Sequence, residues 1–497
     1  MTCWLLAGLV TTVPYVVAAL APPPGHSFVG TFHWIDDFYN YVSFVQQAED
    51  GHFLFDNKLR LEHDPRALVN LEWWSVGVLS RLCGRRPFLA YRLFALAVLG
   101  CFLLAVDRAL RRGGFESPNR LPALALVVSA GGLGGLLFEL TPRTVFHCAD
   151  LSVGLYPFFE MLANPHWLVG TWLLLETSLA LDGASSGRDW MRAAGLGTAL
   201  GLVRPYDLVL AALVHGVCVP FSTPPRDWLR KLAPLAAFAP VALYNYWVFY
   251  RIPTFSSYAV THYEMPPPGD FLWALGPVGL LALSALRRPP ENRAERSFRL
   301  RLWAWTLIVV LAIVWRPVTF TQQFLVGAGL PLLLLAGLGL STRPRTLAVI
   351  AVLLCSTSLV ALRIVSEPDP AWFVPAERRA AALAMRPHCR DGDLAFAPDD
   401  IGLYAIGLTS CRAFVSHPWA PDLAERQAIV RGFYGPMPME ARRRLIDRLN
   451  VALLALPGDA GPTAAAWLGE GAPFTQVALL GPPPRTLSVY ARARAAQ

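Results

Sequence analysis

The chain has 497 residues and a net charge of +8, with 54% hydrophobic and only 16% charged residues. That balance is too apolar for an ordinary soluble protein of this size. No Lys/Arg-rich block with interleaved aromatics occurs, so the charge reads as loop bias that sets topology, not as a nucleic-acid surface.

The apolar residues gather into blocks of roughly 16–22 residues, the length that crosses a bilayer as a helix. The first block, 3–21, contains a stretch from Leu5 to Leu20 that has the length of a signal-peptide core, and Ala18-Ala19-Leu20-Ala21 offers small residues for cleavage. No Lys or Arg precedes it, so a retained first span is expected. A long polar segment follows, Thr31 to Pro65, headed by the adjacent carboxylates Asp36 and Asp37. Behind them Phe38, Tyr41, Val42, Val45 and Ala48 fall at helical spacing, and Gly51 reads as a C-terminal stop. Only one carboxylate can cap that helix. Asp37, next to Phe38, is the expected cap, and Asp36 the expected reactive group.

The block Ala67 to Leu82 carries Glu72 and the pair Trp73-Trp74, which suit an interfacial helix better than a membrane core. The remaining spans are expected at 87–108, 120–140, 166–183, 190–205, 206–221, 232–250, 270–286, 300–316, 324–341 and 345–364, about eleven with the first. With Ala67–Leu82 on the surface, the basic loops Arg108–Arg112, Arg188–Arg192, Arg226–Lys231, Arg287–Arg301 and Arg343–Arg345 fall on one face. The positive-inside rule makes that face cytoplasmic, with the N-terminus inside and the C-terminus outside. Asp36 and Asp37 are then extracytoplasmic. So are the loops Glu139–Asn164 and Tyr250–Asp270, the Arg316–Gln323 turn, and everything after residue 365.

Two short spans meet at Arg204-Pro205-Tyr206-Asp207, where a charged pair is costly unless it faces protein or a watery cavity. Arg204 is read either as closing a helical turn with Asp207 or as meeting an anionic headgroup. Asn164-Pro165-His166 opens the preceding span with a cap and a first-turn proline. After Ile364, residues 365–497 are richer in charge and proline, with short apolar runs at Leu394–Ala397, Val451–Leu456 and Gln476–Leu480. Helical patterns lie between them at Ala420–Gly432 and Met439–Leu449, the latter with Arg442, Arg443 and Arg444 on a solvated face. This predicts a small α/β domain. The expected architecture is thus an α-helical polytopic membrane domain over 1–364, with an extracytoplasmic loop at 22–86, and an extracytoplasmic α/β domain over 365–497. Cys389 and Cys411 share that domain at a separation that permits a disulfide. No CxxC or His/Cys ligand spacing suggests zinc.

The stretch WIDDFYNYVSFVQQAEDGHF, placed just after the first span, resembles the first extracytoplasmic loop of the GT-C membrane glycosyltransferases, such as protein O-mannosyltransferases and aminoarabinose transferases. Glu62-His63-Asp64-Pro65 stands where that class has a proline-containing segment. LANPHWL, VRPYD, NYWVFYRIPTFSSYA and SCRAFVSHPWAPDLAERQAIVRGFYG are similar to segments of uncharacterised bacterial members. The resemblance covers most of the chain in layout. It implies a GT-C-like fold in a bacterial inner membrane. The implied donor is a sugar on a polyprenyl phosphate, presented from the outer leaflet, and the acceptor is a glycan, lipid or protein of the envelope. No strict second acidic motif matches, and Glu139, Asp150, Glu160 and Glu264 all remain candidates.

Such chemistry needs a carboxylate to take the acceptor's proton and cations to stabilise the departing phosphate. Asp36 and Asp37 are the candidate bases. Arg204, Arg251 and Arg316, at outer ends of spans, are the candidate phosphate ligands, with His262 beside Glu264 as a candidate proton carrier. No cofactor is indicated, and a divalent metal ion is left open. Competing readings are a lipid or polyol transporter or flippase, and a non-catalytic envelope protein on the same scaffold. A transporter favours inverted repeats and ionisable residues at mid-membrane. No repeat is evident, and the polar residues gather at one face.

Overall fold

A computed structural model of the chain describes all residues except 63–64, 116–119, 141–147, 185, 257, 259–264, 368, 370, 421, 459–467, 469–472, 483–485 and 494–497. Among the described residues, eight helical segments are long and apolar enough to cross a membrane: Thr2–Leu20, Pro87–Arg112, Pro205–Ser222, Pro225–Arg251, Pro268–Arg287, Arg293–Trp315, Thr321–Gly339 and Pro344–Ser366. A bent pair, Leu121–Ser129 with Gly134–Leu140, makes up to nine. The expected spans at 166–183 and 190–205 form helices, Pro165–Gly183 and Gly187–Val203, that are not among those eight. Glu176 and Asp182 interrupt the first. The second has 17 residues and opens on Arg188, Asp189 and Arg192.

The chain divides into two compact units, each assembled from separate stretches. One comprises Met1–Val16, Arg92–Trp247 and Val260–Glu367. Its helices begin as their sequences dictate. Proline stands in the first turn at Pro165, Pro205 and Pro344, where a missing N–H costs nothing. Ser186 and Asp189 form a reciprocal capping box, and Asn292 caps through Glu295 N–H at 3.0 Å. Asn164 precedes its helix but, contrary to expectation, its side chain makes no capping bond. Buried Asp182 accepts from Arg301 Nε at 2.9 Å, Ser297 Oγ at 2.6 Å and Arg112 Nε at 2.9 Å. One carboxylate thereby fastens the basic ends of two spans to the Pro165–Gly183 helix, whose polarity is in this way satisfied internally.

The other unit comprises Val17–Tyr91, Val248–Ala259 and Pro368–Gln497. It therefore takes in the first polar loop as well as the C-terminal stretch. The helix Ile35–Glu49 runs through it, with the helices Leu71–Leu82 and Asp399–Leu408 packed against it. Phe38, Val42, Val45 and Ala48 are buried, as their spacing requires. Leu71–Leu82 is capped by Asn70, whose side chain accepts from Glu72 and Trp73 N–H at 3.1 and 3.2 Å. At 12 residues it reaches about 18 Å, too short to cross a bilayer. The aromatic pair divides rather than sharing an interface. Trp73 is buried and stacked on Tyr41, with ring centroids 4.6 Å apart, while Trp74 is 38% exposed. Gly77 lets this helix approach Ile35–Glu49, since a Cβ there would lie 2.3 Å from Ala48 Cβ.

Two sheets complete the unit. β1 (His26–Phe28) pairs antiparallel with β2 (Phe373–Pro375), tying the first loop to the start of the C-terminal stretch. β3 (Leu394–Phe396), β4 (Arg412–Ala413), β5 (Val451–Pro457), β6 (Phe474–Leu480) and β7 (Leu487–Arg492) form a mixed sheet in the order β4-β3-β5-β7-β6. Its β3 pairings are parallel and its β7 pairings antiparallel. Helices Leu423–Tyr434 and Met439–Arg448 cover it, burying Phe396, Phe414, Phe433, Leu445 and Ile446 together. Arg443 and Arg444 are exposed, but Arg442 is buried, against expectation. Its guanidinium donates to Gly435 O at 2.5 Å and lies over the Phe433 ring, contacts that let a cation follow the helix's apolar side. Cys389 and Cys411 are disulfide-bonded, with Cα atoms 5.6 Å apart.

Candidate active site

The helix carrying the paired carboxylates starts earlier than its apolar spacing implies. Trp34, in the left-handed region at φ 45, is its N-cap, and Phe38 N–H already donates to Trp34 O at 3.0 Å. Asp36 and Asp37 thus lie inside the first turn, and neither caps the helix. The expectation that Asp37 caps a helix beginning at Phe38 is corrected accordingly. Both charges still sit at the positive end of the helix dipole.

The two carboxylates part company. Asp37 Oδ1 lies 3.3 Å from Nε2 of His417, whose side chain is buried. Trp419 N–H donates to His417 Nδ1 at 3.0 Å, which leaves Nε2 as the ring nitrogen nearest Asp37. Asp36 instead lines a cavity of about 710 Å³ with His33, Trp372, Asp399, Asp400, Tyr404 and Gln427 among its walls. Burial raises the pKa of Asp36, a charge on His417 opposes that rise, and the Asp37 carboxylate adds to it. Burial also pushes His33 down to about 3, so this wall residue stays neutral.

The far wall repeats the pattern of the near one. Asp399 and Asp400 occupy the first turn of the helix Asp399–Leu408. Gln427 Nε2 donates to Asp399 Oδ2 at 2.6 Å, while Asp400 is paired with Arg378. Tyr404, one turn on, has its hydroxyl pKa raised by burial and by the neighbouring Tyr39 and carboxylates. Three carboxylates therefore face one space that, among the described residues, no Lys or Arg lines. Such a cavity suits hydroxyl groups, which donate to carboxylates, and disfavours a phosphate. Among the described residues no group of three or more His, Cys, Asp or Glu side chains is placed to hold a metal ion.

The other sequence candidates are distributed as follows. Arg204 is buried, its Nε donating to Asp207 at 2.8 Å and its Nη2 to Gln323 O and Oε1 at 3.3 and 3.2 Å. Gly170 makes room for it, since a Cβ there would lie 2.1 Å from Arg204 Cδ. Asp150 is buried, accepting from Thr357 Oγ1 at 3.0 Å and Gly134 N–H at 3.1 Å, and burial raises its pKa to about 6. Glu160 is buried against Thr171 Oγ1 at 3.1 Å and is raised by burial to about 8. Glu139 pairs with Arg363. Arg316 donates to Pro266 O at 3.1 Å from an exposed position. All five belong to the first unit. Arg251, exposed at the end of its helix, belongs to the second with Asp36 and Asp37. His262 and Glu264 lie outside the described residues, as do His63 and Asp64 of the proline-containing segment.

Sequence reasoning missed His417, Asp399 and Asp400. His417 has no spacing signal, being some 380 positions from Asp37. The second pair did leave a trace, as Asp399-Asp400 is the only other Asp-Asp in the chain.

No family model matches the sequence, and no curated protein matches it significantly. Solved structures do match. The arabinofuranosyltransferase AftD from Mycobacteria superposes with a TM-score of 0.57 at 14% identity, over 99% of this chain and 40% of AftD. ArnT from Cupriavidus metallidurans gives 0.50 at 14% identity, over 99% of this chain and 97% of ArnT. The oligosaccharyltransferase of Archaeoglobus fulgidus gives 0.50 at 12% identity, over 99% of this chain and 74% of that one. The fold is that of the GT-C glycosyltransferases. This chain spans less than half the length of AftD. On its GT-C fold, the paired carboxylates lie in the polar loop that follows the first apolar helix.

Proposed function

We propose that this protein is a membrane glycosyltransferase that moves a sugar from a polyprenyl-phosphate donor to a hydroxyl acceptor of the envelope, with Asp36 as general base. The observation that carries the reading is the separation of the two carboxylates: Asp36 opens on the cavity with a raised pKa, while Asp37 is turned to His417. In the proposed step the acceptor oxygen attacks the anomeric carbon, and the bond from that carbon to the phosphate oxygen breaks. The electron pair leaves with the polyprenyl phosphate, and the acceptor's proton goes to Asp36. A carboxylate of elevated pKa is the stronger base for that transfer. Asp37 and His417 act as positioning residues that set the charge around it.

Arg204 is committed to Asp207 and Gln323, so we assign the leaving phosphate to Arg251, an exposed cation of the unit that holds Asp36. The reading requires the residues after Ile364 to be extracytoplasmic, and a reporter fused there should be active only outside the cytoplasm. The decisive measurement is transfer from labelled polyprenyl-phosphate sugars by the reconstituted full chain, comparing wild type with D36N and D37N at equal expression. Loss in D36N with substantial activity in D37N supports the assignment. Full activity in both would remove the base and favour the non-catalytic reading.

A further inference from the structure

The C-terminal end of the Ile35–Glu49 helix borders a second cavity, of about 210 Å³, with the opposite charge. Arg85, Arg86, Arg379 and Arg386 line it together with a single carboxylate, Glu49, and Gln46, Phe88 and Leu89. Three of the arginines have partners. Arg386 Nη2 lies 3.4 Å from Glu49 Oε2, and Arg85, in the left-handed region at φ 59, lies 3.6 Å from Asp50. Arg379 sits over the Phe88 ring at 5.3 Å, reaches Tyr39, and has a buried Nε with no hydrogen-bond partner. The Arg86 side chain is exposed and has no hydrogen-bond or ion-pair partner among the described residues, its backbone carbonyl accepting from Ala90 N–H.

Placement identifies the ligand class. Arg85 and Arg86 immediately precede Pro87, the first residue of the span Pro87–Arg112, so the cavity stands at a membrane boundary whichever way the chain is inserted. Its floor includes Phe88 and Leu89 of that span, an apolar side that suits the glycerol or acyl stem of a lipid. From Asp36 in the first turn to Glu49 in the last is about 20 Å along the helix axis. A phosphate bound here is too far from Asp36 to be the one that leaves in the transfer step.

We infer that Arg86 and Arg379, braced by the paired Arg85 and Arg386, form a phosphate-binding site separate from the reaction cavity, at the membrane boundary beside the span Pro87–Arg112. Guanidinium groups bind phosphate oxygens in forked, charge-assisted pairs, and four of them around one carboxylate leave excess positive charge for an incoming anion.

The test is a titration of the purified full chain with three probes: short-chain phosphatidic acid, inorganic phosphate, and short-chain phosphatidylcholine. Wild type should bind phosphatidic acid saturably. R86Q/R379Q should bind it at least roughly tenfold more weakly, with an unaltered thermal unfolding curve. D36N should bind as wild type does, so failure of the transfer reading and failure of this one remain distinct. Competition by inorganic phosphate at equal affinity identifies a free-anion site; binding confined to phosphatidic acid identifies a lipid headgroup site. Equal affinity for phosphatidylcholine, or equal binding by wild type and the double variant, overturns the inference. If the double variant fails to fold, R86Q alone decides, because that side chain is exposed and unpartnered.

Discussion

The two ends of the Ile35–Glu49 helix make opposite use of the same backbone. At the N-terminal end Asp36 faces Asp399 and Asp400, and among the described residues Arg378 is the arginine paired to any of them. At the C-terminal end four arginines surround Glu49. The helix dipole favours each sign where it stands, but its contribution is at most a few tenths to about 1 kcal/mol per charge at such sites. That is too little to explain three carboxylates gathered around one space. Like charges brought together cost stability, and the proposed proton transfer to Asp36 gives that arrangement a use. The helix dipole accounts for the sign of the charges at each end of this helix, but not for their number.

The comparison is broken most severely at its acidic end. D36N keeps the shape but removes the base, and transfer should fall by roughly two or more orders of magnitude, measured as kcat at equal expression. Next comes the disulfide. Cys389 and Cys411 lie within four residues of Arg386, Gly407 and Leu408, which line the basic cavity. C389S/C411S should lower unfolding free energy by about 3 kcal/mol in denaturant titrations and weaken phosphate binding, without moving the pH profile of transfer. G77V presses on Val45 and Ala48 in the C-terminal half of the same helix, and overpacking there should cost about 1–3 kcal/mol in thermal unfolding.

The finest test is the pH profile. The pKa of Asp36 is raised in the folded chain, so its stabilising contribution is lost as pH rises through that raised value, and the base becomes available over the same rise. The acid limb of kcat/KM should therefore lie above the ordinary carboxylate range, and D36N should be the more stable protein above it. D37N removes a neighbouring negative charge and should move the limb to lower pH. H417Q removes an opposing positive charge and should move it to higher pH. A shift opposite in sign to the one expected, in either variant, would show that that residue does not act through Asp36.

Much of the local structure was legible in the sequence. The apolar blocks became helices because length and hydropathy are local properties that a bilayer reads directly. Of the residues spaced at 3.6 behind Asp37, Phe38, Val42, Val45 and Ala48 are buried, but so are polar neighbours such as Asn40, Ser43 and Gln47, while Tyr41 is half-buried; Gly51, at φ 96, ended that helix as expected. The start of the helix was not legible. Trp34 caps it from the left-handed region with no side-chain bond, so no capping residue marked the boundary. Nor did the Trp73-Trp74 pair betray that one ring would stack inside on Tyr41 while its neighbour faced out.

The sequence by itself determined that the chain is rich in membrane-length helices, that a polar loop with paired carboxylates follows the first, and that a strand-bearing region closes it. Each of these rests on interactions among near neighbours. Only the tertiary structure decided which carboxylate faces a cavity. It also showed that Asp37 meets a histidine from the far end of the chain, and that the second Asp-Asp pair shares a cavity with Asp36. Contacts over hundreds of residues depend on how helices and sheets pack, and side chains brought together that way leave no periodicity to read.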